Sequence, residues 1–343
     1  MLRNLPRPLL WRPKGYVPSL AELNASHGVV AKSDIRISFN DRGENGPPLS
    51  VVELAEGRIV GELRLVVTRN SIAVGKLQSL AGSTNPTNHY LLRNPRFRLL
   101  RRLPGVALLI GMPESLNYYH WLLNCLPRWK LLAEANRVQE YDYVLVNSRM
   151  CKFQEETLDR LGVPQEKRLH CSTMMLYQFD RLIVPDMPPM FRVPTWVSTW
   201  VRTLFPERDG HASKLIYISR RASPRRRLSN ELVLEERLQQ IGFAVVQLEH
   251  LTVSKQAKLF SAAEIIVAPH GAGLANVVFA TPGACVIELF HPDNVNQLYA
   301  ELAANLGLNY DRVVGDCTRT SKTSDFVISI EDVVQTLQKQ RAF

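Results

Sequence analysis

The segment EIIVAPHGAGLANVVFATPGACVIELF, residues 264–290, decides the fold class of this chain. Residues 265–268 form an apolar run that ends at Pro269, and residues 285–289 form a second apolar run that ends before a His-Pro pair. The residues between the two runs predict a glycine turn, a short helix and a second turn. Strand, helix and strand in this order predict part of a parallel α/β sheet.

The turn after the first of these strands carries Gly271 and Gly273. Glycine has no Cβ atom, so backbone N–H groups in this turn can approach a bound group closely. A helix predicted to open at Leu274 directs its positive end to the same place, which favours an anion such as phosphate. A tight connection that needs glycine only for its backbone angles explains the same letters equally well, so the surrounding sequence has to decide.

Length and composition set the outer limits. The chain has 343 residues, of which 45% are apolar, enough for two domains of ordinary size. No apolar run approaches the roughly 18 residues of a membrane span, and prolines interrupt the N-terminal region where a signal peptide needs an unbroken apolar core. Five cysteines without a C-x-x-C pair predict reduced thiols, with Cys125 and Cys285 in the core. We expect an intracellular, cytoplasmic protein.

The net charge of +10 is compatible with nucleic acid, an anionic membrane face or an anionic substrate. Much of the excess lies in two clusters, residues 93–102 and residues 220–227, and a solvated basic face is the simplest explanation of each one alone. The sequence has no zinc-finger spacing, no recognition-helix pattern and no aromatic RNA-binding pattern, so we expect no nucleic-acid partner.

The first half predicts an α/β domain with an unusual start. Residues 1–48 predict an irregular leader, and residues 49–80 predict a small antiparallel β meander with turns at Glu56-Gly57 and Asn70-Ser71. Three strands and a helix follow, and together they complete an N-terminal domain over residues 49–190. The proline-rich segment 185–194 excludes helix and parallel strand and predicts a linker. The predicted strands are 106–110, 143–146 and 181–184, and the helix is 152–161.

A helix predicted over residues 114–135 carries a polar seam on a mostly apolar circumference. Helical periodicity aligns its four polar residues, and Pro127 predicts a kink near Leu123. Buried polar groups require partners, so the seam faces either a hydrogen-bonded core network or a wet cleft. Four aligned polar side chains favour a site. The seam consists of Asn117, His120, Asn124 and Arg128.

The second half alternates strands and helices over residues 195–320 and ends with a helix predicted over residues 329–343. In an open α/β sheet the ligand lies beyond the carboxyl ends of the strands. Residues at or just after predicted strand ends therefore converge on one crevice. Guanidinium groups that face a helix N-terminus would clamp a diphosphate from two sides. These residues are Ser219, Arg220, His270, Gly271 and Glu288.

Three motifs resemble those of glycosyltransferase family 61. They are N-Y-Y-H-W-L-L-N-x-L-P-R at residues 117–128, Y-I-S-R-R with its basic loop at residues 217–227, and A-P-H-G-A-G-L-A-N-x-x-F-x-x-P-G at residues 268–283, followed by I-E-L. The family includes bacterial capsular polysaccharide biosynthesis proteins, plant xylan-decorating transferases and animal O-linked N-acetylglucosamine transferases. The resemblance, over roughly residues 50–320, implies a GT-B-like fold of two Rossmann-like domains facing across a cleft and an inverting transfer from a nucleotide-sugar.

The resemblance also implies roles for single residues. It places the diphosphate of the donor, expected to be a UDP-sugar, in the C-terminal domain and Glu288 on the ribose hydroxyls. His120 is the candidate base, with Asn124 orienting it or the acceptor; in this family the position of Asn124 is often acidic, and asparagine cannot act as a base. Asn117, Tyr118 and Arg128 are expected on the acceptor side. The expected diphosphate ligands are Ser219, Arg220, Arg226, His270, Gly271, Ala272 and Gly273.

Partners and alternatives follow from the same residues. The sequence contains no D-x-D, so we expect no metal and no cofactor. The expected acceptor is a saccharide or lipid-linked glycan in capsule or surface-polysaccharide synthesis, with residues 96–102 near an anionic inner leaflet. We expect residues 329–343 to cross back onto the N-terminal domain. A non-catalytic nucleotide-sugar-binding protein and an NAD-dependent dehydrogenase remain open, the latter because Gly271, Gly273 and Glu288 imitate part of a dinucleotide fingerprint.

Overall fold

The computed structural model describes residues 9–11, 15–17, 31–35, 49–63, 65–74, 96–207, 213–317 and 325–341. The chain divides into two compact units, Met1–Met190 and Phe191–Phe343. The division falls inside the proline-rich segment 185–194. Each unit has its own β-sheet, and helices accompany both. The fold is therefore mixed α/β with two sheets.

The first unit is built on a sheet with eleven strands among the described residues. Its main path runs β10-β9-β8-β11-β5-β6-β7-β2; β1 joins β8, and β4 lies between β11 and β3. Pairs β8 with β9, β8 with β11 and β9 with β10 are parallel, so the sheet is mixed. The strands are β1 Leu9–Trp11, β2 Gly15–Val17, β3 Ala31–Ile35, β4 Leu49–Ala55, β5 Arg58–Val60, β6 Leu65–Val67, β7 Ile72–Val74, β8 Arg96–Leu109, β9 Tyr143–Asn147, β10 Arg168–Cys171 and β11 Met175–Pro185.

The N-terminal region departs from its prediction in two ways. Three short strands, β1 to β3, lie inside the segment 1–48 that was expected to be irregular. Strands β5 to β7 form an antiparallel meander, but β4 pairs with β3 and β11. Every residue of β4 except Ala55 is buried, as in a strand covered on both faces. These strands take their partners from distant parts of the chain, which a local pattern cannot reveal.

Strand β8 is longer than the predicted strand 106–110 because its N-terminal half pairs with β11 as well. Much of the basic cluster 93–102 therefore lies on a β-strand, where the side chains of Arg101 and Arg102 are exposed. Residues 93–95 lie outside the described part of the chain.

The single kinked helix predicted over residues 114–135 is broken into four pieces. A 3-10 turn over Pro113–Leu116 precedes α1 (Tyr118–His120), a π-helical turn follows over Trp121–Cys125, and α2 occupies Arg128–Glu134. The N–H of Leu126 donates to the carbonyl of Trp121 at 2.8 Å, which is the longer reach of a π turn. Pro127 cannot donate, so the widened turn falls next to it. The first unit also contains α3, Lys152–Arg160, and a 3-10 turn, Gln165–Lys167.

The second unit has five parallel strands in the order β13-β12-β14-β15-β16. Since β12 comes first in the chain, the order reverses between β12 and β14, and ligands of open α/β sheets bind beside such a point. The strands are β12 Leu215–Ile218, β13 Ala244–Val246, β14 Ile265–Pro269, β15 Cys285–Phe290 and β16 Asn309–Val314. The α-helices are α4 Thr195–Leu204, α5 Glu231–Gln240, α6 Val253–Ala262, α7 Leu298–Leu306 and α8 Ile330–Arg341. Shorter 3-10 segments are Leu248–His250, Ala272–Phe279 and Pro292–Asn294.

The C-terminal helix α8 packs on its own unit. Val333 and Leu337 are buried in the core of the second sheet, together with Tyr217 and Ile287. Its apolar face is covered within the second unit, and the expected crossing of this helix onto the N-terminal domain stays a prediction. Within the described residues, every helix is too short or too polar to cross a bilayer.

Candidate functional site

The switch point of the second sheet brings together two loops that the sequence predicted as a site. Ser219 and Arg220 follow β12, while His270 and Gly271 follow β14, and the two strands are neighbours. The N–H of Ser219 donates to the carbonyl of Val246 at 2.9 Å. Backbone pairing therefore continues past the strand end and fixes where the basic loop begins.

Arg220 fills the space that Gly271 leaves open. Its Nη1 atom donates to the carbonyl of His270 at 2.9 Å, and its Nη2 atom donates to Ser223 Oγ at 2.8 Å. A Cβ atom on Gly271 would lie 1.7 Å from Arg220 Nη1. The φ angle of Gly271 is 173°, which any residue can adopt. The glycine is therefore required by the close approach of the guanidinium group, not by its own backbone angles.

The basic loop contains four further arginines, which differ in their partners. Arg221 pairs with Glu235 at 3.3 Å and Arg227 pairs with Asp325 at 2.8 Å, so two of the charges are neutralised. Arg225 is exposed. Arg226 is half-buried, and its side chain makes no hydrogen bond or ion pair with any residue that the structure describes.

Arg220 and Arg226 form a pair of like charges. Burial lowers the pKa of Arg220, and the neighbouring Arg226 lowers it further. Burial also lowers the pKa of Arg226, while Tyr299 acts in the opposite direction. Arg226 has a φ of 53°, in the left-handed region that arginine rarely adopts and that recurs at binding sites. Two guanidinium groups held together against their own repulsion favour an anion between them.

His270 is held by a buried carboxylate. Its Nδ1 atom lies 2.5 Å from Glu288 Oε1, and the other Glu288 oxygen accepts a hydrogen bond from Tyr310 at 2.7 Å. Glu288 is completely buried on β15. Burial and the Glu288 charge raise the pKa of Tyr310, which keeps this phenol a donor at neutral pH. Both Glu288 oxygens therefore have partners within the second unit, and the predicted role of Glu288 on the ribose stays a prediction.

The hydrogen-bond network fixes the tautomer of His270. Asn296 Oδ1 accepts from the N–H of Leu298 at 3.1 Å, so the Asn296 amide group is the side that faces His270 Nε2 at 3.3 Å. An amide N–H can only donate, so Nε2 accepts and Nδ1 carries the proton given to Glu288. The sequence analysis missed Asn296 and Tyr310. Asn296 lies just before α7 and Tyr310 lies on β16. Neither segment has a local motif that marks it as part of a site.

The helix after the glycine turn differs from the prediction. It is a 3-10 helix, Ala272–Phe279, and it begins two residues before the predicted start at Leu274. Ala272 and Gly273 lie in its first turn, and a Cβ atom on Gly273 would lie 2.9 Å from the side chain of Leu248. Gly273 therefore serves close packing as well. The buried Tyr299 donates to the carbonyl of Gly271 at 2.8 Å and anchors the turn from α7.

In the first unit, the structure brings together His120, the last residue of α1, and Asn124 in the π-helical turn. His120 Nδ1 lies 3.0 Å from Asn124 Oδ1, and Asn124 Nδ2 donates to the carbonyl of Pro189 at 3.2 Å. The Pro189 carbonyl fixes the orientation of the amide, so Asn124 Oδ1 accepts from His120 Nδ1. The Nε2 atom of the half-buried His120 then holds a lone pair, as a general base requires.

The other predicted acceptor-side residues divide into surface and core. Asn117 is exposed and caps α1 by accepting from the N–H of Tyr119 at 3.0 Å. Tyr118 is half-buried, with its ring edge-on to Phe153. Arg128 is 1% exposed and donates to three main-chain carbonyls, so it does not reach an acceptor. This part of the seam is a hydrogen-bonded core network, the alternative that the sequence left open.

One cluster in the described part of the chain has the donor types for a metal ion. It combines His291, Asp293 and Cys317, whose ligand atoms lie within 4.8 Å of one another. His291 and Asp293 follow β15, and Cys317 follows β16. His291 Nδ1 accepts from the N–H of Asp293 at 3.1 Å, so one of its ring nitrogens already has a local role.

Comparison with known proteins adds one finding. The model of the family Glycosyltransferase 61 matches residues 118–287. This match supports glycosyltransferase family 61. The family suggests glycosyltransferase activity, and its matched range includes the π-helical turn, the basic loop and His270, but ends one residue before Glu288. No curated protein matches the chain with significant similarity.

Proposed function

We propose that the protein is a metal-independent, inverting glycosyltransferase. It transfers a sugar from a nucleotide-sugar, a UDP-sugar in the simplest case, to a hydroxyl group of a saccharide or lipid-linked glycan. The family match supports sugar transfer, and the paired guanidinium groups of Arg220 and Arg226 support an anionic donor. The GT-B-like arrangement that the resemblance implies is part of this proposal.

The observation that carries the proposal is the charge of Arg226, which lies beside Arg220 and has no ion-pair partner among the described residues. When the bond from the sugar to the diphosphate breaks, the leaving diphosphate gains negative charge. Preorganised cations stabilise that charge without rearranging, and such stabilisation is a large part of catalysis in many enzymes. The protein thus supplies with arginines what a metal supplies in other transferases.

His120 takes the role of base in this proposal. As the acceptor oxygen forms its bond to the anomeric carbon, the diphosphate departs with the electron pair of the broken bond, and inversion results. The acceptor proton goes to His120 Nε2, whose lone pair is set by the hydrogen bond from Nδ1 to Asn124.

The biological setting is proposed from the resemblance. We place the reaction in bacterial capsule or surface-polysaccharide synthesis, in the cytoplasm at the inner membrane face. The exposed Arg101 and Arg102 on β8 offer positive charge for an anionic leaflet. The dehydrogenase alternative loses support because Glu288, the acidic residue of its fingerprint, is occupied by His270 and Tyr310.

A binding experiment tests the donor site. We expect UDP to stabilise the protein against thermal unfolding, by about 2.7 kcal/mol at 100 times its dissociation constant. Replacing Arg226 by alanine removes a charged contact to phosphate and should weaken UDP binding roughly 10- to 100-fold, as measured by calorimetry.

The matched control is Arg225→Ala, which removes an exposed arginine from the same loop and should change the dissociation constant by less than about threefold. Stabilisation by NAD and not by UDP would overturn the proposal. UDP binding without hydrolysis or transfer of any donor would identify a non-catalytic nucleotide-sugar-binding protein instead.

A further inference from the structure

A groove of about 830 Å³ lies along the edge strand β13 of the second unit. This size falls within the roughly 300 to 1,000 Å³ of small-molecule sites. We call it the β13 groove. Of its lining residues, only Arg221 lies in a segment that the sequence predicted as part of a site. It is lined by Arg221, Glu235, Gln239, Val245, Val246, Gln247, His250, Leu251, Lys255, Lys258 and Leu259.

The β13 groove and the arginine pair share the loop that follows β12. Arg221 lines the groove, while its neighbour Arg220 turns toward His270 and Gly271. Consecutive Cα atoms are about 3.8 Å apart, so one extended ligand can contact both positions. The carboxyl ends of β12, β13 and β14 lie side by side in the parallel sheet. The groove therefore continues the site at the switch point on the side of β13.

A single rigid wall separates the groove from the glycine turn. The side chain of Leu248 lies next to Gly273, where a Cβ atom would be. The side chain of Gln256 donates to the carbonyls of Leu248 and Leu251, each at 3.1 Å. The side chain of Asn276 donates to Gln256 Oε1 at 2.7 Å and ties this wall to the 3-10 helix that follows the turn. Because these groups are buried and bonded, the groove is preformed.

The lining suits a nucleoside. The side chains of Val246, Leu251 and Leu259 offer an apolar surface for a base. Gln247 follows the end of β13, and its side-chain amide makes no hydrogen bond to any described residue, so it can bond to ribose or base. Lys255 and Lys258 add positive charge, which attracts an anionic ligand.

The position also offers the ribose a contact surface other than Glu288. A nucleoside diphosphate clamped by Arg220 and Arg226 must place its ribose on one side of the switch point. On the β15 side, Glu288 is occupied and fully buried. On the β13 side, a preformed groove begins at the next residue of the same loop.

We propose that the β13 groove binds the nucleoside part of a nucleoside diphosphate, the leaving group of the donor. This inference rests on the proposed function and assigns its nucleoside-binding residues. Gln247 is the polar ligand and Leu251 is part of the apolar floor.

The test separates the nucleoside from the diphosphate. Leu251→Trp fills the groove, and we expect it to weaken UDP binding at least tenfold while the affinity for inorganic pyrophosphate changes by less than twofold. Gln247→Ala keeps the backbone and should weaken UDP binding three- to tenfold. Leu232→Trp is the matched control, because Leu232 is exposed on α5 outside the groove and its variant should bind UDP as the original protein does.

Each outcome decides a different point. If the original protein and both groove variants bind UDP equally well, the nucleoside does not lie in the β13 groove, and the proposed function still stands. Failure of the original protein to bind any nucleoside diphosphate would overturn both. If Leu251→Trp does not fold, Gln247→Ala decides. As an independent readout, photolabelling with 5-azidouridine diphosphate should modify a peptide within residues 243–259, whereas labelling within residues 285–316 would contradict the inference.

Discussion

Each of the two candidate histidines has one ring nitrogen bound to a neighbouring side chain. His120 donates from Nδ1 to Asn124, and His270 donates from Nδ1 to Glu288. In both rings Nε2 is left as the acceptor, so the partner determines the tautomer. The partners differ in charge. Glu288 offers a carboxylate oxygen to Nδ1 of His270, whereas Asn124 offers a neutral amide oxygen to Nδ1 of His120.

Asn124 is therefore predicted to be a positioning residue for His120. Asn124→Leu conserves volume but removes the acceptor of the Nδ1 proton, so the tautomer is no longer fixed. We expect kcat for sugar transfer to fall roughly tenfold or more, while the dissociation constant for UDP stays unchanged. Steady-state kinetics and calorimetry measure the two quantities.

Two further variants separate this role from a loss of stability. Asn124→Asp keeps the acceptor and should retain the activity that Asn124→Leu loses. His120→Ala should reduce kcat by roughly a hundredfold or more. Full sugar transfer by His120→Ala would show that another residue is the base.

Two buried cysteines, Cys125 and Cys285, take no part in this chemistry. Burial raises the pKa of Cys125 to about 12, although a hydrogen bond with Ser115 acts in the opposite direction. Burial also raises the pKa of Cys285 to about 12, with Asp311 adding to the effect. Both are protonated, unreactive thiols at neutral pH.

At the level of elements, the π-helical turn decides how the polar seam is used. Asn124 in this turn contacts His120 at the end of α1, and α2 then begins at Arg128. Arg128 donates to the carbonyls of Ile110 and Gly111, just after β8, and to the carbonyl of Pro185 at the end of β11. One side chain thus connects the ends of two neighbouring strands to the helix that follows the candidate base.

Arg128→Met should destabilise the first unit strongly, because it leaves buried carbonyls without a donor. We expect the free energy of unfolding to fall by roughly 3 kcal/mol, as measured by chemical denaturation. Burial lowers the pKa of Arg128 to about 10, because a charged guanidinium group is unfavourable away from water.

Lys130→Met is the matched control on the same helix. Lys130 pairs with Glu134 at the surface, so its loss should change the free energy of unfolding by less than about 0.5 kcal/mol. Equal effects of the two substitutions would contradict the structural role of Arg128.

For the whole molecule, the proposal requires that the arginines replace a metal. We expect sugar transfer to be unchanged after dialysis against EDTA, because Arg220 and Arg226 neutralise the leaving diphosphate. The experiment can fail, because the cluster of His291, Asp293 and Cys317 has the donor types for a metal ion. Loss of transfer on chelation, restored by added zinc and reproduced by Cys317→Ser, would show that the transferase uses a metal at that cluster.

The local sequence determined much of the second unit. Apolar runs that end at or just before a proline predicted β14 and β15 within about one residue, because a strand buried on both faces has a continuous apolar pattern. The same reasoning located the basic loop and the glycine turn beside each other at the ends of parallel strands. It also aligned His120 with Asn124, since helical spacing is a local property.

Only the tertiary structure decided what each polar group contacts. The sequence is the same whether Glu288 and Arg128 bind a ligand or groups of their own fold. The structure shows that both have buried partners, on or just after β14, β16, β8 and β11. The sequence by itself determined the elements and the types of charge at their ends. Long-range packing determined which of those charges is left for a ligand, because every buried polar group must first find its partner.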